Sequence, residues 1–118
     1  MFPTKTVHQM RLNRQPFDMI KSGLKTIELR LYDEKRHRVK TGDRIVFTDN
    51  ATGETLDAEV VGLHRFDTFE QLYKSLPLLN CGYTPDNVDG AKSTDMEQYY
   101  SAEEIKKYGV VGIELRLV

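Results

Sequence analysis

The pentapeptide Ile-Glu-Leu-Arg-Leu occurs twice in this chain, at residues 27–31 and again at 113–117. Both copies alternate apolar and charged residues, which is the period of an extended strand. Five residues are too few to establish a repeat. Their strict alternation nevertheless predicts that both segments lie in one sheet, each with one face buried. The first copy continues a denser motif, Ser22-Gly23-Leu24-Lys25-Thr26-Ile27-Glu28-Leu29-Arg30. Thr26, Glu28 and Arg30 share one strand face, and Ile27, Leu29 and Leu31 the other. Lys25 leaves the preceding turn, so alternation does not fix its side. A Lys, a Glu and an Arg gathered at the start of a strand make a small polar site or, equally, a solvated sheet face.

The surrounding pattern orders the rest. Val7–Leu12 reads as a strand, and Asn13 as the cap of a short helix from about Gln15, with Pro16 tolerated in its first turn. Phe17 and Ile20 give that helix an apolar stripe, and Gly23 stops it. After the strand Thr26–Leu31 comes a charged loop, then the turn Lys40-Thr41-Gly42-Asp43 and a strand Arg44–Thr48. A hairpin at Asp49–Gly53 leads into a long strand, about Leu56–Phe66. Thr68-Phe69-Glu70-Gln71 and Ser101-Ala102-Glu103-Glu104 read as capping boxes of two further helices. Between them, residues 77–96 carry two Pro and two Gly and read as irregular. Val110–Val118 closes the chain as a strand. Three consecutive strands favour antiparallel pairing over alternating βα units. The expected fold is therefore α+β: a small, strongly curved, mainly antiparallel sheet or partial barrel with short flanking helices.

At 118 residues, 39% hydrophobic and 30% charged, the chain is sized for one domain spanning residues 1–118 with a single core. No apolar run is long enough to cross a bilayer, and the N-terminus shows no charged-then-apolar leader pattern. The single cysteine, Cys81, has no internal disulfide partner, which fits a reducing compartment; the expected location is the cytoplasm. The net charge of -1 conceals an asymmetry: residues 1–48 sum to +6 and residues 49–118 to -7. Much of the positive charge is local, in Lys35-Arg36-His37-Arg38 with Lys40 and Arg44. Such a patch attracts phosphates or nucleic acid, or is simply a solvated basic loop. The acidic half argues against non-specific coating of DNA.

With the helix, the Ser-Gly-x-Lys-Thr-x-Glu-x-Arg stretch and the Thr-Gly-Asp turn in view, the chain resembles the ASCH domain family of the PUA-like superfamily. The resemblance runs from about Met10 to Leu117. It is carried by Ser22–Arg30 and Lys40–Ile45, and also by Leu63-His64-Arg65-Phe66 and Tyr108-Gly109-Val110-Val111-Gly112-Ile113. It implies a PUA-like β-barrel with a cleft lined by Lys25, Glu28 and Arg30, and a ligand that is RNA or nucleotide-sized. A few members are enzymes, among them a small amidohydrolase acting on acetylated cytidine and a ribonuclease. In the amidohydrolase members a Thr three residues after the motif lysine is the nucleophile. Glu28 occupies that position here, and a carboxylate does not replace an activated hydroxyl.

The candidate residues each carry a plainer reading as well. Lys25, the candidate catalytic group, can contact a phosphate, or act as a base where burial beside Arg30 depresses its pKa. It can equally be an exposed lysine at a helix-to-strand junction. Arg30 suits bidentate recognition of phosphate. An exposed Glu28–Arg30 pair contributes under about 1 kcal/mol, so stability alone explains it poorly. Arg36, Arg38 and Lys40 are the candidate nucleic-acid contacts. Thr26 as a nucleophile is disfavoured, because a regular strand would point it away from Lys25. His8, His37 and His64 lack metal-ligand spacing, so neither a metal nor another cofactor is expected. Cys81 reads as a bystander thiol. Tyr83, Tyr99, Tyr100 and Tyr108 either stack bases or pack the irregular segment onto the barrel. Three functions remain: an RNA- or nucleotide-binding domain, a hydrolase using Lys25, and an accessory protein-interaction domain. In each case the protein is expected as a monomer or weak homodimer with no membrane partner.

Overall fold

The computed structural model describes residues 5–118. Its elements in chain order are β1 (Val7–Leu12), α1 (Arg14–Lys21), β2 (Ile27–Leu31), α2 (Glu34–His37), β3 (Arg44–Asp49), β4 (Thr55–Phe66), α3 (Phe69–Ser75), α4 (Ala102–Tyr108) and β5 (Val110–Leu117). Three 3₁₀ turns, Leu78–Asn80, Val88–Gly90 and Ser93–Gln98, occupy the segment between α3 and α4. The strands form one curled sheet in the order β1-β3-β4-β5-β2. Only β1 and β3 run parallel; the other neighbours are antiparallel. Curling follows from β4, whose twelve residues pair with β3 at one end and β5 at the other. A bulge between Val60 and Gly62 marks where it changes register, and bulges bend and twist a strand.

The two copies of Ile-Glu-Leu-Arg-Leu are direct neighbours, with Ile27 opposite Glu114 and Leu31 opposite Val110. The expected burial of a single face does not hold for β2. Ile27, Leu29 and Leu31 pack with Phe69, Leu72, Cys81, Met96 and Val110 under α3 and the 3₁₀ turns. Glu28 and Arg30 face the other way, opposite Ile113 and Val111, whose side chains join the main core inside the half-barrel. Each face of β2 is thus covered by a different layer, and the strand divides two apolar clusters.

Curling brings the two edge strands, β1 and β2, face to face. In β1 the even positions bond to β3, leaving the carbonyls of Gln9 and Arg11 on the open edge. Arg30 Nη2 donates to Arg11 O at 2.8 Å, and Lys35 Nζ donates to Gln9 O at 2.7 Å. Side chains rather than a ladder close this seam. That arrangement satisfies edge carbonyls that would otherwise template strand pairing with another chain.

Of the local expectations, some hold and others need correction. Asn13 stands at the cap position of α1 but makes no capping bond; its side chain accepts from Asn50 Nδ2 at 3.3 Å instead. The charged loop after β2 contains a one-turn helix, capped by Asp33, whose Oδ1 accepts from Arg36 N at 3.1 Å. Thr68 caps α3 by accepting from Gln71 N, while the Gln71 side chain reaches one residue further, to Asp67 N. Ser101 and Glu104 form the reciprocal box at α4. The Lys40–Asp43 turn is fastened by Asp43, whose carboxylate meets His8 Nε2 at 2.9 Å and accepts from Lys40 N and Thr6 N. Burial opposes ionisation of Asp43, but His8 and the two backbone donors prevail and hold its carboxyl below the ordinary value.

Candidate functional site

Lys25 is delivered by the end of α1. Gly23 adopts φ 83°, a left-handed conformation that ends the helix at little steric cost, and both Leu24 N and Lys25 N then donate to Met19 O. Because β2 becomes regular only at Ile27, Lys25 is free of strand parity. Its Nζ lies 2.7 Å from Glu28 Oε1. The other carboxylate oxygen, Oε2, accepts from Arg30 Nε at 2.6 Å. One buried carboxylate is therefore held between two cations, with 4% of Glu28 exposed. Burial raises the cost of its charge, yet Lys25 and Arg30 outweigh that and hold the Glu28 carboxyl below its ordinary value. Arg30 likewise stays protonated: burial works against it, and the Glu28 carboxylate more than compensates.

The triad opens into a cavity of about 430 Å³ at the β1–β2 seam. Tyr73, Tyr83, Tyr99 and Tyr100 form one wall; Arg11, Asn13, Gln15 and Asn50 stand on the β1–α1 side. Tyr73 and Tyr83 hydroxyls are 2.7 Å apart, and Tyr83 OH donates to Asp95 Oδ2 at 2.8 Å. Burial and this chain of bonds push the Tyr83 hydroxyl up, and burial does the same for Tyr73 and Tyr100. These phenols are neutral donors at any physiological pH. Cys81 also lines the cavity, and burial pushes its thiol up to about 11, so it is not a thiolate at neutral pH. Gly82 follows it with φ 109°, its backbone packed along the Lys25 side chain, where a Cβ would lie 3.5 Å from Lys25 Cδ.

The sequence motif residues Lys25, Glu28 and Arg30 thus come together in one enclosed place. Arg36, Arg38 and Lys40 do not line this cavity. Arg36 folds back on Asp33, with Nη1 2.9 Å from Oδ2, whereas Arg38 and Lys40 are exposed. Thr26 is outside the cavity lining, its backbone tied to Asn80 O and Leu115 N. Of the four tyrosines singled out by sequence, Tyr108 lies elsewhere, beside Lys106 and Lys107. Tyr73, Asp95 and Arg11 escaped the sequence reading, because nothing local distinguishes them from packing or surface residues. Among the described residues no three His, Cys, Asp or Glu side chains converge as metal ligands, and no helix is long and apolar enough to cross a membrane.

The model of the ASCH domain family matches residues 10–118. The chain belongs to the ASCH domain family. Its fold neighbours include hypothetical protein PH0355, 33% identical over 96% of this chain and 100% of that one, with a TM-score of 0.78. Protein PF0455 from Pyrococcus furiosus is 31% identical over 96% and 98% of the two chains, with a TM-score of 0.73. The ASCH protein from Zymomonas mobilis shares the fold, with a TM-score of 0.63, at 14% identity over 96% of this chain and 68% of that one. No curated protein matches the chain. ASCH domains are generally proposed to bind RNA. In this one the fold places the motif strand on the inner face of the half-barrel, beside a cavity rather than bulk solvent.

Proposed function

We propose that this ASCH domain binds RNA, or a nucleotide-sized ligand, in the cavity at the β1–β2 seam. The observation that carries the reading is the buried Glu28 carboxylate with Lys25 and Arg30 on its two oxygens, opening on a cavity walled by tyrosines. The triad carries a net charge of +1, which favours an anionic group. Glu28 fixes both cations before a ligand arrives, so little ordering cost falls on binding. A phosphate or the polar edge of a base would meet Lys25 and Arg30. Tyr99, 58% exposed, and Tyr100 beside it offer ring faces for stacking. Neutral amides at Asn13, Gln15 and Asn50 supply donors and acceptors on the opposite side.

The test is titration of the protein with short RNA oligonucleotides and with free nucleotides at low salt. Saturable binding that is weakened by Lys25→Ala supports the reading. Absence of saturation with every such ligand overturns it.

A second reading is a hydrolase acting on a modified nucleoside or on RNA, with Lys25 as its central group. It draws on the Tyr73–Tyr83–Asp95 chain, which lines the same cavity and offers a hydrogen-bonded path for a proton. Glu28 is an unsuited nucleophile in that scheme, since Lys25 and Arg30 already engage both of its oxygens. Hydrolysis that persists unchanged in Lys25→Ala rules this reading out.

A further inference from the structure

The face of β2 that carries Glu28 and Arg30 continues two residues further to Tyr32, a step of roughly 6.6 Å along an extended strand. Tyr32 leaves the cavity and enters a second, open groove of about 480 Å³. Arg65 from the end of β4, and Lys106, Lys107 and Tyr108 from the end of α4, complete its walls, with Asp67 as the one carboxylate. Three cations therefore face one anion. Among the described residues none of these three cations has a carboxylate within ion-pair distance, whereas Lys21, Lys74 and Arg116 each do.

The groove is also aromatic. Arg65 Cζ lies 5.2 Å above the Tyr32 ring, and its Nη1 donates to Tyr32 OH at 3.2 Å. Lys107 Nζ sits 5.0 Å from the Tyr108 ring. Tyr32 stacks on His37 of α2, with centroids 3.8 Å apart, which joins the groove to the exposed Arg38. Lysines in the last turn of α4 suit that helix terminus, and this alone would explain Lys106 and Lys107. It does not explain an exposed arginine arriving from β4 to lie on the tyrosine that follows β2.

We propose that this groove is a second nucleic-acid contact, which takes the sugar-phosphate backbone and a stacked base of single-stranded RNA running out of the Lys25 cavity along β2. The proposal rests on the RNA reading of that cavity. A guanidinium with an open donor edge and two lysines match a chain of phosphates, and the rings supply platforms that any base can use. An acidic peptide would satisfy the cations but has no use for the rings.

The experiment measures binding of a uridine octanucleotide and of uridine monophosphate, across a salt series, to four proteins. These are the wild type, Lys25→Ala, the exposed triple variant Arg65→Gln/Lys106→Gln/Lys107→Gln, and its charge-keeping counterpart. The expected result is at least a tenfold loss of octanucleotide affinity in the triple variant, with monophosphate binding unchanged. Its salt slope should fall by about 0.7 per phosphate contact removed. The charge-keeping variant Arg65→Lys/Lys106→Arg/Lys107→Arg should retain the slope. If octanucleotide binding survives in the triple variant but fails in Lys25→Ala, the groove proposal is overturned and the cavity reading stands. If the triple variant loses octanucleotide while Lys25→Ala binds both ligands normally, the groove is supported and the cavity reading falls. A wild type that ignores the octanucleotide overturns the groove proposal, with the monophosphate arm then judging the cavity alone. Equal binding of an oligoglutamate of the same length also overturns it.

Discussion

The cavity and the groove are two cationic recesses that meet opposite ends of β2, built on opposite principles. In the cavity, Lys25 and Arg30 are committed to Glu28, partly buried, and fixed to within a hydrogen bond. In the groove, Arg65, Lys106 and Lys107 are exposed and lean on aromatic rings. The first arrangement sacrifices free charge for geometry. The second keeps its charge and gives up geometry. A site of the first kind selects what it holds, and one of the second kind raises the local concentration of anything anionic.

That contrast is broken most forcefully by removing its central carboxylate. Glu28→Ala leaves two cations at a buried position with no counter-charge, and should cost about 3–5 kcal/mol of unfolding free energy, read by urea denaturation. Arg65→Ala should stay within about 0.5 kcal/mol of wild type in the same assay. Similar losses for both would erase the distinction. Next in size, Lys25→Ala should reduce nucleotide affinity by about ten- to a hundredfold, the contribution of one to two charge-assisted hydrogen bonds. This loss should change little with salt, whereas the groove's contribution should be steeply salt-dependent.

A third prediction concerns acid. Because the folded Glu28 carboxyl titrates below its ordinary value of 4.5, its ionised form stabilises the fold. That stabilisation is present above about pH 4.5 and should be lost as pH falls from there through the lower folded value. Asp43, held low by His8 and two backbone donors, adds to the same slope. Melting temperatures measured from pH 6 downward should therefore fall less steeply for Glu28→Gln than for wild type. The smallest effect expected is that of Tyr83→Phe. It severs the Tyr73–Tyr83–Asp95 chain and should lower stability by about 1 kcal/mol, with a modest change in ligand affinity.

Strand alternation, the Gly23 stop and the Ser101 capping box are local signals, and the elements they mark stand where they were expected. The mainly antiparallel, curved sheet was legible too, since β3 runs through a short turn straight into β4, its antiparallel neighbour. The other neighbours in the sheet were not. The parallel pairing of β1 with β3, and the antiparallel pairing of β2 with β5 across the length of the chain, depend on how the bulged β4 curls, and no local pattern encodes them. The same is true of burial. Alternation showed that Glu28 and Arg30 share a face, but a second layer over β2 turned an apparently half-exposed strand into one covered on both sides. Lys25 was legible as a motif residue and its reach was not, because the break before Ile27 frees it from parity. The basic half of the chain pointed to Arg36, Arg38 and Lys40. Arg65, Lys106 and Lys107 come from the acidic half, where charge counting hides them, and only the fold collects them beside Tyr32.

The most direct test of the central claim is an NMR titration of the labelled protein with a short single-stranded RNA and with a nucleotide, following the Lys25 side chain, Arg30 Nε and the Tyr99 and Tyr100 rings. The account predicts saturable shifts at all four, with those of Arg30, Tyr99 and Tyr100 needing about ten- to a hundredfold more nucleotide in Lys25→Ala. Shifts confined to Arg38 and Lys40, with the Lys25 and Arg30 signals unmoved at saturation, would contradict it.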